Sequence, residues 1–207
     1  MHPRPILVMR HGETEWNLAG RWQGWLDVDL SIEGEAQARA RGRWFAERAT
    51  SFAAILTSDL RRAARTAQII ADEIAGPAPR AEVGLRERAG GAFEGLDADA
   101  IDEGWPGFRD RWRAGKEDAP PGGESDATVW ERVRVVLDGT REMPEGALLV
   151  VTHGGVARIM HDRADEPTRS VVANVGGRWF EWDGTRLEAG DVLEALPDTD
   201  RTRAAIE

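Results

Sequence analysis

The sequence predicts an α/β fold, a three-layer sandwich in which a mostly parallel central sheet carries helices on both faces. Three observations support this class. Three short, almost wholly apolar runs have the length of buried strands, a helical pattern of apolar residues follows each of them along the chain, and two of the runs end close to a His-Gly pair. Alternating strands and helices are typical of parallel sheets whose connections cover both faces.

The predicted elements cover most of the chain. In order they are a strand 6–9, a helix 32–48 capped by Ser31, a strand 53–57, a helix 60–74 capped by Ser58 and Asp59, a short strand around Val83, a helix 126–143, a strand 147–151, a helix 156–161, and late strands 171–175, 178–182 and 185–188 with a hairpin turn at Asp183 and Gly184. We expect a single domain of residues 1–207. Within it, the aromatic-containing segment 97–124 is expected to pack over the sheet as a lid or pocket wall.

Composition excludes several classes of function. A net charge of −10 argues against binding to nucleic acids or to anionic membranes, which require a basic surface. The absence of cysteine excludes a thiol nucleophile, a disulfide and a cysteine metal site. No run approaches the roughly 20 apolar residues of a membrane span, and the first strand is too short for a signal peptide. The expected location is therefore the cytoplasm.

Hydrogen-bond donors converge where the first strand ends. Arg10, His11 and Gly12 follow the apolar run, and Thr14 and Asn17 can add neutral donors. Such a set suits a phosphate or a carboxylate, although a capping cluster on a surface loop would have the same composition. The third strand ends at His153 in the same manner, and parallel strands would bring both imidazoles to one sheet edge.

Charged residues at two further positions could complete such a site. Arg61 and Arg62 begin the second long helix, where cations are unfavourable unless an anion accepts them; the alternative is a pair of solvated arginines. A glycine-rich turn carries the carboxylates Glu87 and Glu94. Phosphoryl transfer needs a nucleophile, positive groups for the phosphoryl oxygens and an acid for the leaving alcohol, and His11, the arginines with His153, and Glu87 could supply them. Neighbouring arginines should favour neutral His11, and a bound phosphate should favour cationic His153.

These motifs together resemble the histidine phosphatase superfamily, also called the phosphoglycerate mutase-like family, over residues 6–160. The motifs are Arg10-His-Gly-Glu-Thr14 with Trp16-Asn17, Gln23-Gly24, Ser58-Asp-Leu-Arg-Arg62-Ala with Thr66, Leu85-Arg-Glu87 and His153-Gly154. The resemblance implies that His11 is transiently phosphorylated, that Arg10, Arg62 and His153 bind the phosphoryl group, and that Glu87 is the proton donor. It also implies that Asn17, Gln23 and the Gly24 backbone line the phosphate pocket, to which we add Thr14 and Gly154. The family requires no metal, and no cofactor is expected.

The resemblance also decides between neighbouring candidates. Arg62 matches the family's arginine because it directly precedes Ala63 and lies four residues before Thr66. Glu94 lies where the family has only a loosely specified position, so Glu87 is preferred. His2 and His161 are expected to be solvated rather than catalytic.

We therefore expect a phosphomonoester hydrolase that acts through a phosphohistidine on a small phosphorylated metabolite. A phosphoglycerate mutase is the first alternative. It is disfavoured because segment 97–124 holds eight acidic and four basic residues, whereas the family's mutases carry a longer, more basic insertion. The chain after His153 is also shorter than is usual for the family, which leaves the identity of the substrate open. A catalytically silent phosphate-binding regulatory module is the second alternative. Neither nucleic acid nor membrane is an expected partner, and a homodimer is left open. Trp22 and Trp25 are expected to lie in the core or to stack on the substrate as a rim. Four tryptophans suggest a substrate with an apolar or aromatic portion: Trp22, Trp25, Trp105 and Trp112.

Overall fold

A six-stranded mixed sheet forms the centre of the computed structural model, which describes residues 3–164 and 172–196. The strands are β1 (Arg4–Arg10), β2 (Ala54–Thr57), β3 (Arg80–Ala81), β4 (Leu148–Thr152), β5 (Gly177–Trp182) and β6 (Leu187–Leu193). Their order is β3-β2-β4-β1-β5-β6; the first four are parallel, β5 is antiparallel to β1, and β6 is antiparallel to β5. The predicted mostly parallel sheet is thus confirmed, with an antiparallel hairpin at one edge.

Helices cover both faces of this sheet. They are α1 (Glu15–Leu18), α2 (Ile32–Glu47), α3 (Arg61–Glu73), α4 (Ala98–Gly104), α5 (Phe108–Arg113), α6 (Asp126–Gly139) and α7 (Gly154–Arg163), with single 3-10 turns at Val83–Leu85, Gly91–Phe93 and Thr140–Glu142. Apolar side chains of α6 and α7 pack in the core on one face, and those of α2 and α3 pack in the core on the other. The three-layer arrangement agrees with the predicted fold class.

Strand β1 shows why its sequence is continuously apolar. Successive side chains of a strand point to opposite faces of the sheet. Ile6 and Val8 therefore lie in the core against α6 and α7, whereas Leu7 and Met9 lie in the core against α2 and α3. All four side chains are at most 1% exposed. A strand that is buried on both faces has no solvent side for polar residues.

Segment 97–124 builds a separate apolar cluster. Phe93, Ile101 and Phe108 form its buried part, and Trp22, Leu96, Trp105 and Trp112 pack around them. The rings of Phe93 and Phe108 meet edge to face with centroids 4.9 Å apart. We expected these aromatic residues to pack over the sheet. They pack instead on one another and on residues near the site loops, because α4 and α5 are short helices with only one apolar side each.

Several element boundaries differ from the predicted ones. Strand β1 is longer than the predicted 6–9 at both ends, and β4 lies one residue later than the predicted 147–151. The strand predicted around Val83 is β3, which ends two residues before it, and α7 is longer than predicted at both ends. Residues 172–175 do not form the predicted strand, because Val175 has φ = 51° and Gly176 N donates to Ala173 O in a tight turn. Val171 lies outside the described residues. The last strand, β6, extends further than the predicted 185–188, and Asp183 and Gly184 lie in the turn before it, where Asp183 Oδ1 accepts from the backbone of Thr185.

Among the described residues, no helix combines the length and the apolar character that crossing a membrane requires.

Candidate active site

Two histidines meet at the carboxyl edge of the sheet. Arg10 and Thr152 are paired in register at the ends of β1 and β4, and His11 N donates to Thr152 O at 2.9 Å. His11 and His153 directly follow these strand ends, and their ring centroids lie 5.2 Å apart. Parallel neighbouring strands place their carboxyl ends together, which explains the convergence that the two His-Gly pairs predicted.

The hydrogen bonds of His11 define its tautomer. Its Nδ1 lies 2.6 Å from the carbonyl oxygen of Gly12, which can only accept, so Nδ1 carries the proton and Nε2 keeps its lone pair. Burial lowers the pKa of His11 well below its usual value, and the positive charges of Arg62 and Arg10 lower it further. The predicted direction is thus found, with desolvation as the larger cause. His11 is a neutral imidazole whose Nε2 is available as a nucleophile.

Contacts on both sides hold the His11 backbone in place. Asn174 Nδ2 donates to His11 O at 2.8 Å, and Gly12 N donates to Thr66 Oγ1 at 3.0 Å. A Cβ on Gly12 would lie 2.5 Å from the carbonyl oxygen of Gly34, so the loop can pack on the first turn of α2 only with glycine here. The position of the imidazole is therefore determined by three separate parts of the chain.

His153 is fully buried and has unsatisfied nitrogens. Within the part of the chain that the structure describes, neither Nδ1 nor Nε2 has a hydrogen-bond partner. Burial, followed by the charges of Arg62 and other neighbouring groups, holds the pKa of His153 well below its usual range. Buried polar atoms normally have partners, so two orphaned ring nitrogens beside an arginine indicate a place for an anionic ligand. Whether a bound phosphate makes His153 cationic remains a prediction.

The two adjacent arginines have different environments. Arg61 is exposed and pairs with Asp27 and Asp29 at 3.2 and 3.1 Å. Arg62 is fully buried; its Nη1 and Nη2 donate to Leu26 O and Gly24 O at 2.9 and 2.8 Å. We expected one bound anion to pair with both arginines. Arg61 does not need it, because the carboxylates of Asp27 and Asp29 already pair with its guanidinium.

Arg62 keeps donors that the protein does not use. Its Nε has no partner among the described residues. Burial lowers its pKa to about 10, and the carboxylates of Glu87 and Asp27 oppose this change. A guanidinium with a pKa near this value is still charged at neutral pH. Arg10 is also buried and donates from Nη1 to Val172 O at 2.8 Å.

The two candidate carboxylates have distinct partners. Glu87 accepts from Arg88 N through Oε1 at 2.8 Å and from Gly155 N, in the first turn of α7, through Oε2 at 3.1 Å. Glu94 accepts from Trp25 N and Gly90 N, both at 2.9 Å through the same Oε1. Glu94 thus joins two loop backbones. Glu87 bonds to the first turn of α7, and His153 is the residue that directly precedes this helix. The carboxylate therefore lies close to the histidine pair.

The residues predicted to line the phosphate pocket have the following contacts in the structure. Thr14 and Asn17 form a reciprocal capping box at the start of α1, which occupies Thr14 Oγ1 and Asn17 Oδ1 and leaves the amide Nδ2 of Asn17 as a donor. Gln23 is 8% exposed, and its Oε1 has no partner among the described residues. Gly24 has φ = 49°, and its carbonyl accepts from Arg62. Gly154 is the first residue of α7, whose unpaired N–H groups favour an anion.

Sequence reasoning missed several residues that build the site. Thr66 was named only as part of a motif and given no role, yet its Oγ1 accepts from Gly12 N at 3.0 Å. Asn174 lies in a segment predicted to be a strand, and nothing in its local pattern indicated a contact with His11. The predicted capping of α3 holds only in part: Ser58 Oγ accepts from Leu60 N at 3.2 Å, but Asp59 pairs with Arg86 at 2.6 Å, and Asp27 Oδ1 accepts from Arg61 N at 2.7 Å.

The other two histidines and Trp25 can also be compared with their predictions. His161 is 7% exposed and packs against Phe180, so the expectation that it is solvated was wrong. The helix was predicted to end at His161, but it continues to Arg163. His2 lies outside the described residues. Trp25 is 40% exposed beside the site, and its Nε1 donates to Glu87 O at 2.7 Å.

Comparison with known proteins agrees with this geometry. The family model described as the histidine phosphatase superfamily (branch 1) matches residues 6–187. The chain belongs to the histidine phosphatase superfamily. Within this superfamily it is 36% identical over 165 residues to a glucosyl-3-phosphoglycerate phosphatase of Mycobacterium tuberculosis, covering 75% of this chain and 73% of the relative. It is also 36% identical over 212 residues to a 2,3-bisphosphoglycerate-dependent phosphoglycerate mutase of Methylobacterium sp. (strain 4-46), covering 96% of this chain and 98% of the relative.

Solved structures place the chain in the same superfamily. The native structure of a mycobacterial glucosyl-3-phosphoglycerate phosphatase superposes with a TM-score of 0.81 at 29% identity, covering 94% of this chain and all of that one. Among the described residues, no group of three or more histidine or acidic side chains is arranged to hold a metal ion.

The two buried histidines predict a dependence of stability on pH. In the unfolded chain, His11 and His153 bind protons near their ordinary pKa of about 6.5, whereas in the folded protein both pKa values are lowered. Below pH 6.5 the unfolded state therefore binds more protons than the folded state. As the pH decreases in this range, the free energy of unfolding decreases by up to about 1.4 kcal/mol per pH unit for each histidine. Urea unfolding between pH 7.5 and 5 measures the free energy of unfolding at each pH. This free energy should depend less steeply on pH for His153→Asn than for the wild type, and an equal dependence would contradict this account.

Proposed function

We propose that the protein is a phosphomonoester hydrolase that acts through a phosphohistidine on a small phosphorylated metabolite. One observation carries this proposal. The neutral, lone-pair-bearing His11 lies 5.2 Å, ring centroid to ring centroid, from His153, whose ring nitrogens have no partner within residues 3–164 and 172–196, and Arg62 and Arg10 act electrostatically on both. A nucleophile surrounded by cationic donors matches the requirements of phosphoryl transfer.

The proposed reaction has two displacements. His11 Nε2 attacks the phosphorus, the bond between phosphorus and the ester oxygen breaks, and protonated Glu87 gives its proton to the departing oxygen. Arg10, Arg62 and His153 stabilise the charge on the phosphoryl oxygens. A water molecule then attacks the phosphohistidine, the Glu87 carboxylate takes a proton from that water, and the electrons of the N–P bond return to Nε2. Inorganic phosphate leaves, and the enzyme regains its starting state.

The charge of segment 97–124 supports hydrolysis over isomerisation. A mutase must retain a substrate that carries a second anionic group, which requires cations that are free to bind it. Here Arg109 pairs with Asp102 at 2.9 Å, Arg111 with Glu117 at 2.7 Å and Arg113 with Asp110 at 3.1 Å. Each arginine of the segment thus has a carboxylate partner within it, which leaves the exposed Lys116 as the fourth basic residue against eight acidic ones.

Phosphoglycerate mutase activity is the second candidate because a mutase relative aligns over nearly its whole length. A protein of similar length to this chain thus carries the mutase name. The charge argument remains. The choice between the two activities therefore depends on whether the site holds a second anion.

Two product assays separate these candidates. We expect release of inorganic phosphate from a panel of phosphate monoesters, and no 2-phosphoglycerate from 3-phosphoglycerate in the presence of 2,3-bisphosphoglycerate. Formation of 2-phosphoglycerate faster than phosphate release would establish the mutase instead. If neither product forms with any substrate and no phosphohistidine is trapped, the protein is a phosphate-binding module without catalysis.

Three of the four tryptophans lose their suggested role in substrate binding. Trp22, Trp105 and Trp112 pack in the aromatic cluster of segment 97–124. Trp25 is the most exposed of the four, at 40%, and it lies beside Glu87. The proposal of an apolar substrate portion therefore rests on one indole. It predicts that Trp25→Ala lowers kcat/KM more for aryl phosphates than for glycerol phosphate, and equal losses would contradict it.

A further inference from the structure

The proposed proton donor lies on a loop that needs an external support. Glu87 follows the 3-10 turn Val83–Leu85 and precedes a second one at Gly91–Phe93, so no strand or helix ladder fixes its backbone. A general acid must hold its carboxyl group within hydrogen-bond distance of the leaving oxygen. Some other part of the protein must therefore hold this loop.

Arg132 on α6 provides that support. Its Nη1 donates to Gly84 O at 2.9 Å and to Arg86 O at 2.6 Å, and its Nη2 donates to Glu87 O at 2.9 Å. The same guanidinium donates from Nη2 and Nε to the two carboxylate oxygens of Glu124, at 2.8 and 3.0 Å. All five N–H groups of the side chain thus have an acceptor. Three of these acceptors are backbone carbonyls of the Glu87 loop.

Glu124 extends this support to the other side of Glu87. Its Oε2 accepts from Ala89 N at 2.9 Å, two residues beyond Glu87. The side chains of Arg132 and Glu124 are only 18% and 15% exposed. Although burial raises the pKa of Glu124, the hydrogen bonds from Arg132 and Ala89 more than offset this, and its pKa is lowered. The pair is therefore charged and little screened by solvent.

The packing of the turn on α6 makes these contacts possible. A Cβ on Gly84 would lie 2.8 Å from Arg132 O and 2.6 Å from Val136 Cγ2. The turn therefore lies directly against the helix, within reach of a side chain from the same helical turn. Glycine at position 84 permits the close approach.

We propose that Arg132, held by Glu124, is a positioning residue that fixes Glu87 for proton donation to the leaving group. This inference rests on the proposed function. It assigns Arg132 no contact with substrate, since its five donors are all used within the protein. A lysine could not replace it, because an ammonium group has three donors on one atom and cannot reach acceptors on both sides of the loop.

The dependence of the rate on the leaving group distinguishes positioning from general structural support. An alkyl phosphate such as glycerol 2-phosphate needs a proton on its departing oxygen, whereas 2,4-dinitrophenyl phosphate releases a stable phenolate without one. The kcat/KM value reports only steps up to formation of the phosphohistidine. For Arg132→Met we expect kcat/KM to fall about 10²-fold for glycerol 2-phosphate and by less than about tenfold for the dinitrophenyl ester. Arg132→Lys should show most of the same selective loss.

Two further variants make the test robust. Arg134→Met removes an exposed arginine of the same helix that pairs with Glu131 and Asp138, and it should leave both kcat/KM values unchanged. If Arg132→Met does not fold, as judged by circular dichroism, Glu124→Gln takes its place and should show a smaller loss that is again confined to glycerol 2-phosphate. Equal losses on both substrates, or no loss on either, would overturn the inference.

The outcome also separates this inference from the proposed function. If the wild type hydrolyses neither ester, the proposed function fails and the inference fails with it. If the wild type is active and Glu87→Gln shows the selective loss while Arg132→Met does not, only the positioning role of Arg132 is wrong.

Discussion

Replacing His11 with asparagine is expected to lower kcat/KM for phosphate monoester hydrolysis by about 10⁴-fold or more. Asparagine can keep the donor that now serves Gly12 O through Nδ1, and it removes Nε2 with its lone pair. The cationic groups around the site stay in place, so binding of inorganic phosphate should survive. Initial rates of phosphate release and a phosphate titration, both at pH 7, measure the two effects separately.

A second histidine offers a matched control for this variant. His161 is also buried, but it packs against Phe180 rather than at the carboxyl edge of β1. His161→Asn should retain the wild-type rate at temperatures where it stays folded. A His11→Asn enzyme that works within tenfold of the wild type would show that another group is the nucleophile.

The second large effect is expected for Glu87→Gln. The amide keeps the size of the side chain and one acceptor oxygen, but it has no acidic proton to give. For an alkyl phosphate, whose leaving oxygen needs that proton, we expect kcat/KM to fall about 10²- to 10⁴-fold, the usual contribution of general acid catalysis. For 2,4-dinitrophenyl phosphate the loss should be less than about tenfold. Steady-state kinetics on the two esters give the comparison directly.

Glu94 is the matched control, since it is the other carboxylate of the same glycine-rich turn. Its Oε1 accepts from two backbone N–H groups, so Glu94→Gln should lower the melting temperature and leave the ratio of the two kcat/KM values unchanged. A selective loss for Glu94→Gln, with none for Glu87→Gln, would exchange their roles.

The sheet and its histidine edge could be predicted because their signals are local. A strand buried on both faces must be apolar throughout, so β1 and β4 are visible as continuous runs. Parallel strands share one carboxyl edge, and two His-Gly pairs at two such strand ends are then sufficient to place His11 beside His153. The pattern for the general acid was weaker, because two carboxylates occupy one glycine-rich turn.

The supports of the site could not be predicted, because most of them bond to backbone atoms of distant segments. Carbonyl oxygens of residues 84, 86 and 87 accept from Arg132, and those of residues 24 and 26 accept from Arg62, but every residue has such an oxygen and no residue type marks it. The turn at Val175 was missed for a related reason. A β-branched residue favours a strand locally. Val175 instead has a positive φ, and its backbone bonds to distant partners: its N–H donates to Arg10 O at 3.1 Å, and its carbonyl oxygen accepts from Arg41 Nε at 3.0 Å.

The central claim is that His11 accepts the phosphoryl group, and trapping the intermediate tests it most directly. Enzyme mixed with 2,4-dinitrophenyl phosphate and quenched in base within milliseconds should carry one acid-labile phosphoryl group, and mass spectrometry of the peptides should place it on His11. The His11→Asn enzyme should carry none. Steady turnover by the wild type with no phosphorylated peptide, or with the group on any other residue, would contradict the account.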